Sequence, residues 1–212
     1  MRVSREKFAE SRERILDVAA RLFREKGFDG IGLADIMKAA GLTHGGFYRH
    51  FDSKDDLEAQ AIGVALASTA ADLSRLFEGA TARPLSTLID EYLSQQHRED
   101  LGKGCSLAAL ATDVARQSER VRSAFTAGLR PILEILSTVV PGRSKAERRR
   151  KAIATLAEMI GALILARAVA DPALSDEILA ATLLNLSEPS DGSTAMEPSD
   201  VGRGPKVCPI PH

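Results

Sequence analysis

IMKAAGLTHGGFYRHF, residues Ile36 to Phe51, decides how this chain is read. A short helix over Leu33 to Ala40 ends at Gly41, which turns the backbone with a positive φ. A second short helix begins at Thr43 as N-cap and reaches about Phe51. Ile36, Ala40, Leu42 and Phe47 meet inside, and the small Ala39 and Ala40 let the helices approach closely. These are the parts of a helix-turn-helix. Upstream, a helix from about Ser4 to Lys26 carries Phe8, Ile15, Ala19, Leu22 and Phe23 on one stripe and stops at Gly27. Downstream, Asp52 or Ser53 caps a long fourth helix, whose first turns hold Asp55, Asp56 and Glu58 at the positive end of the macrodipole.

Apolar residues recur at spacings of three and four almost everywhere, and no segment alternates for long, so the chain is expected to be all-α. Further helices are predicted at about Leu85 to His97, Ser106 to Arg116, Ser118 to Val140, Lys145 to Ala170 and Ser175 to Leu186. Pro131 predicts a kink or break near Arg130. From Ser187 onward the chain carries five of its nine prolines and almost no large apolar residue, which predicts a disordered tail over 187–212. The expected domains are 1–52, 53–186 and that tail.

Among the 212 residues, 28 Lys and Arg balance 29 Asp and Glu, which excludes a uniformly basic nucleic-acid binder. The charge is polarised, however: Met1 to Phe51 holds ten basic and seven acidic residues. Two cysteines cannot make a disulfide scaffold, so a reducing, cytoplasmic setting is expected. The first residues lack the apolar run of a secretion signal. The longest uncharged stretch, Ala59 to Ala71, has 13 residues, short of the roughly 20 of a membrane span. The expectation is a soluble protein with no membrane association.

The second helix of the motif presents Thr43, His44, Gly45, Gly46, Tyr48, Arg49 and His50. This is a face of donors suited to the major groove and its flanking phosphates. A metal site is not expected here, because His44 and His50 stand about 240° apart around a helix and cannot converge on one ion.

The run from Arg14 to Ile62 resembles the N-terminal DNA-binding domain of the TetR family of bacterial transcriptional regulators. Ala19, Leu22, Phe23, Gly27, Phe28, Ile36, Ala40, Gly41, Tyr48, His50, Phe51, Lys54 and Leu57 all fall in the family's spacing. The resemblance implies a three-helix DNA-binding domain and a C-terminal helical domain that dimerises and binds a small molecule. It implies a symmetric homodimer, most simply a repressor, on a pseudopalindromic double-stranded operator, with the fourth helix tilting on ligand binding. It places Thr43 and Tyr48 at a phosphate or base methyl, His44, Gly45 and Gly46 at base edges, and His50 and Lys54 at backbone phosphates. Two residues depart from the family's pattern: Gly32 replaces the usual Ser or Thr N-cap, and Met37 stands where Ala is usual.

Cys105 follows two glycines at the expected start of a helix beside Lys103, a setting that suits an electrophile-sensing thiol and equally a small buried one. Modification of Cys105 is therefore a second conceivable route of release. Cys208, in the tail, has no such setting. The basic cluster from Arg143 to Lys151 reads as a solvated face or a second nucleic-acid contact. The apolar run from Ala152 to Ala170 implies burial on more than one face, as in a subunit interface or a central core helix. No catalytic triad, phosphate loop, metal-ligand run or supported carboxylate pair is present, so neither an enzyme nor a cofactor is expected. A helical adaptor for a protein partner is the alternative function.

Overall fold

A computed structural model describes residues 5–79 and 83–187. Every regular element among them is helical. The elements are α1 (Arg5–Lys26), α2 (Leu33–Ala39), a 3-10 helix (His44–Arg49), α3 (Lys54–Glu78), α4 (Pro84–Tyr92), α5 (Gln95–Glu99), α6 (Ser106–Val114), α7 (Glu119–Val139), α8 (Lys145–Ala168) and α9 (Pro172–Ser187).

Serine sets four of the helix starts. The Ser53, Ser94, Ser118 and Ser144 hydroxyls accept the amide hydrogens of Asp56, His97, Val121 and Glu147, meeting donors that a helix N-terminus leaves free. Ser94 is the reason the helix expected over Leu85 to His97 is two, α4 and α5: its extended backbone interrupts the first and its side chain opens the second. Glycine sets two of the turns. Gly27 and Gly41 adopt φ of 74° and 72°, a region that costs other residues free energy.

The N-terminal unit packs α1, α2 and the 3-10 helix around Phe23, Phe28, Ile36, Met37, Phe47 and Phe51, all essentially inaccessible. Met37 does not disturb this core; it fills the space between α2 and the 3-10 helix, near Gly46. Gly32 precedes α2 without a side-chain cap, as its missing hydroxyl dictates. From there α3 runs out of the unit and into the rest of the molecule, where its main partner is α7; α8 packs on α7 and α9.

Three further expectations are corrected. The segment after Thr43 is a 3-10 helix, not an α-helix, and the Thr43 side chain makes no cap bond. Gly45 and Gly46 raise the entropic cost of regular α structure there, and i to i+3 bonds such as Gly46 N–H to Thr43 C=O (3.0 Å) close the turns instead. Helix α7 continues through Pro131, so of the expected kink or break the break does not occur. Its long contact with α3 offsets the roughly 3 kcal/mol that an interior proline costs. Helix α9 begins at Pro172 and includes Ser187, so Pro172 opens the helix rather than preceding it. The predicted tail beyond Ser187, with Cys208, lies outside the described residues.

Candidate functional site

Phe47 is the anchor of the exposed face. Its ring is fully buried and meets Tyr48 edge-on at 5.2 Å, so the neighbouring tyrosine is held outward, 68% exposed, on an immobile base. Thr43, His44, Gly45 and Arg49 are exposed around it, and Gly46 is half-buried.

The two outer residues, His50 and Lys54, are held inward by comparison. The His50 ring stacks on Phe8 at 4.3 Å, and its Nδ1 is buried without a partner. Burial, followed by the charges of Arg12 and Arg49, holds its pKa below the usual histidine value. Lys54 donates to the Phe28 carbonyl at 2.5 Å and lies 3.6 Å from Glu58. Its ammonium ties the start of α3 to the turn after α1 and retains donors for a further acceptor.

Residues that sequence reading passed over brace this face. Arg12 donates to the His50 carbonyl and to Gln60, and its guanidinium sits 4.5 Å over the Phe51 ring. Arg14 donates to the Ala40 carbonyl at the turn of the motif, at 3.1 Å. Asp56 accepts from Gln60, from the Asp52 amide and from Arg120 of α7. Burial opposes ionisation of Asp56, yet these bonds outweigh it and its pKa lies below the ordinary carboxylate value.

A second region is a cavity of about 400 Å³ among α3, α4, α6, α7 and α8, walled largely by leucine, with Ile132 and Met159. Its polar end is formed by Tyr92, His97, Lys103 and Cys105. Cys105 is the N-cap of α6 and makes no side-chain cap bond. Its amide donates to His97 Nε2 at 3.1 Å, so that nitrogen carries no proton, and Nδ1 donates to the Tyr92 carbonyl at 2.7 Å. Burial pushes His97 below its usual pKa, and Arg167 adds to the effect against the pull of that carbonyl. Nothing in the spacing of residues 92, 97, 105 and 167 marks them as neighbours; the folding of α4 to α6 against α8 brings them together.

Residues 15–61 match the family of bacterial regulatory proteins named for TetR. The transcriptional repressor NemR of Escherichia coli K12 is 29% identical over 136 residues, 60% of this chain and 66% of NemR, just under two thirds of its length. The regulator AcrR of Shigella flexneri is 46% identical over 56 residues, 26% of each chain. Among solved structures, the reduced form of E. coli NemR superposes with a TM-score of 0.71 at 24% identity, covering 84% of this chain and 95% of that one. A TetR regulator from Chloroflexus aurantiacus gives 0.69 at 26% identity, covering 85% and 94%. The chain belongs to the TetR family. The relatives it matches are named transcriptional repressors and regulators. The TetR fold extends through the C-terminal helices, where sequence similarity is thin. No helix among the described residues is long and apolar enough to cross a membrane.

Proposed function

We propose that this TetR-family protein is a homodimeric repressor that leaves a pseudopalindromic operator when a small molecule enters the α3–α8 cavity or when Cys105 is modified. The reading rests on one observation above others: Tyr48, exposed on the fully buried Phe47, stands among the exposed Thr43, His44 and Arg49. A rigid patch of donors on a short helix is what entry into a major groove requires. Thr43, Tyr48 and Arg49 contact phosphate or a base methyl, His44, Gly45 and Gly46 face base edges, and His50 and Lys54 lie along the backbone. Residues 1–52 form the reading head, and 53–186 dimerise and hold the effector. Ile153, Leu165 and Leu184 of α8 and α9 are 47%, 57% and 67% exposed, an apolar face that supports pairing of two copies. NemR, a relative, is named a repressor.

Titration of the purified protein against DNA upstream of its own gene, over a range of salt, tests this reading. Binding is expected to fall steeply with salt, because each neutralised phosphate releases counterions. Tyr48→Ala is expected to weaken it by about 1–3 kcal/mol with helix content intact. If neither this DNA nor a random-sequence selection yields a specific site, the adaptor reading replaces the repressor. N-ethylmaleimide is expected to release wild-type protein but not Cys105→Ser; equal release of both removes Cys105 from the mechanism and leaves the cavity.

A further inference from the structure

Behind the polar end of the cavity stand two cations with no direct ion-pair partner. Arg24 and Arg167 are about half-buried, and neither lies within ion-pair distance of a carboxylate among the described residues. Nearby acids are otherwise engaged: Glu25 pairs with Arg21 at 2.9 Å, and Asp100 accepts the Lys103 amide at 2.9 Å. Both guanidiniums act electrostatically on the Cys105 position from behind the cavity wall, and burial lowers the pKa of each. Arg24 is held by the Gly102 carbonyl and Ser106 Oγ, Arg167 by the carbonyls of His97 and Arg98. Neutral acceptors fix these cations in place, and Glu25 and Asp100 offset their charge only through space, without direct contact.

Two groups at the same spot lack acceptors. Tyr92 lines the cavity and is 9% exposed; its hydroxyl is buried, has no oxygen or nitrogen acceptor, and has only the weakly polar Cys105 thiol beside it. The nine-residue α6 starts here, with no acidic residue in its first turn and no side-chain cap. Its first amides point positive potential toward the cavity end. Of the two acids on the cavity wall, Asp72 pairs with Arg75 and Glu91 is solvent-exposed, while Lys103 adds a further cation.

We infer that the cavity takes a monocarboxylate with an apolar body, its carboxylate seated between the Tyr92 hydroxyl and the start of α6. At roughly 30 Å³ per atom, water's share of its liquid, the volume holds about a dozen non-hydrogen atoms. That is the size of a ten-carbon fatty acid. Leu76, Leu88, Leu136 and Met159 bury its tail, and the charged head selects against alcohols and amines of the same length. The inference rests on the cavity being the effector site of the proposed regulator, and it is tested without DNA, so that its failure is separate from failure of the operator experiment.

Isothermal titration of the full-length protein at neutral pH with decanoate, 1-decanol and decyltrimethylammonium, each below its micellar concentration, reads the head-group preference. Decanoate is expected to bind at least 10-fold more tightly than either analogue, and Tyr92→Phe to weaken it about 10-fold while leaving decanol unchanged. Decanol binding as tightly as decanoate, or no saturable decanoate binding, overturns the inference. The wild-type comparison needs no variant. For Tyr92→Phe, helix content and melting temperature are checked first, and an unchanged decanoate affinity in a folded variant removes Tyr92 from the head-group site.

Discussion

Asp56 and Glu58 are two residues apart in the first turns of α3, and their environments move them in opposite directions. Glu58 has a side chain 6% exposed, with Lys54 at 3.6 Å. Burial pushes its pKa up to about 6, Lys54 only partly offsets this, and Asp55 and Asp29 reinforce it. The folded value lies above the unfolded one, so the stabilisation is fully present below about pH 4.5 and is lost as pH rises through 6. Glu58→Gln is therefore expected to gain about 1–2 kcal/mol over wild type at pH 7.5 and little at pH 4.5. Urea unfolding at the two pH values checks this, and parallel pH dependence in both proteins would count against it. Asp56 behaves oppositely: its stabilisation is present above the ordinary carboxylate range and disappears as pH falls through its depressed value. The sequence presents both simply as acids at a helix start. Both are buried, and the difference comes from the bonds of Gln60, the Asp52 amide and Arg120 to Asp56; Arg120 lies 64 residues away.

At the level of elements, α3 and α7 pack against each other along their length, and Gly128 is one point where that packing leaves no room for a side chain. A Cβ placed there would come within 2.6 Å of Leu66 Cβ. Gly128→Ala is accordingly expected to destabilise by about 1–3 kcal/mol despite its better helix propensity. Gly63→Ala on α3, whose Cβ meets nothing within 4 Å, is expected to stabilise by about 0.5–1 kcal/mol. Urea denaturation of both variants compares packing with propensity. A neutral Gly128→Ala would show that α7 can shift away from α3. Helix existence was legible from spacing because a buried stripe must repeat every three to four residues. Interruptions were less so: Ser94 divides one expected helix by a local cap, whereas Pro131 fails to break another because α3 supports it. The second short helix of the motif lies where the spacing put it, but its 3-10 form reflects the cost of two adjacent glycines that apolar spacing does not register.

Across the whole molecule, a change in the cavity can alter DNA affinity only through contacts that differ between the two states. Sequence reading looked to a tilt of the fourth helix, α3, for this link, and α3 does join the two regions. A second tie crosses 78 residues of chain: Arg24 near the end of α1 donates to the Gly102 carbonyl at 2.8 Å and reaches Ser106 Oγ at 3.4 Å. The segment it grips carries Lys103, Gly104 and Cys105 of the cavity wall. Gly27, just past α1, approaches Asp113 of α6 so closely that a Cβ would come within 2.7 Å of its carboxylate. Movement of the start of α6 toward a ligand head or a modified Cys105 must therefore pull on α1 or break the Arg24 bonds. Arg24→Met keeps much of the aliphatic stem and removes the bonds. It is expected to bind operator within a few-fold of wild type, while the ratio of operator affinities without and with the releasing agent falls toward one. In wild type that ratio is expected at roughly 5–150-fold, the usual range of allosteric coupling. The agent is whichever of decanoate and N-ethylmaleimide releases the wild-type protein. With decanoate, operator DNA must weaken ligand binding by the same factor, which gives an independent measure of the coupling. An Arg24→Met protein with the wild-type ratio would assign the coupling to α3 alone.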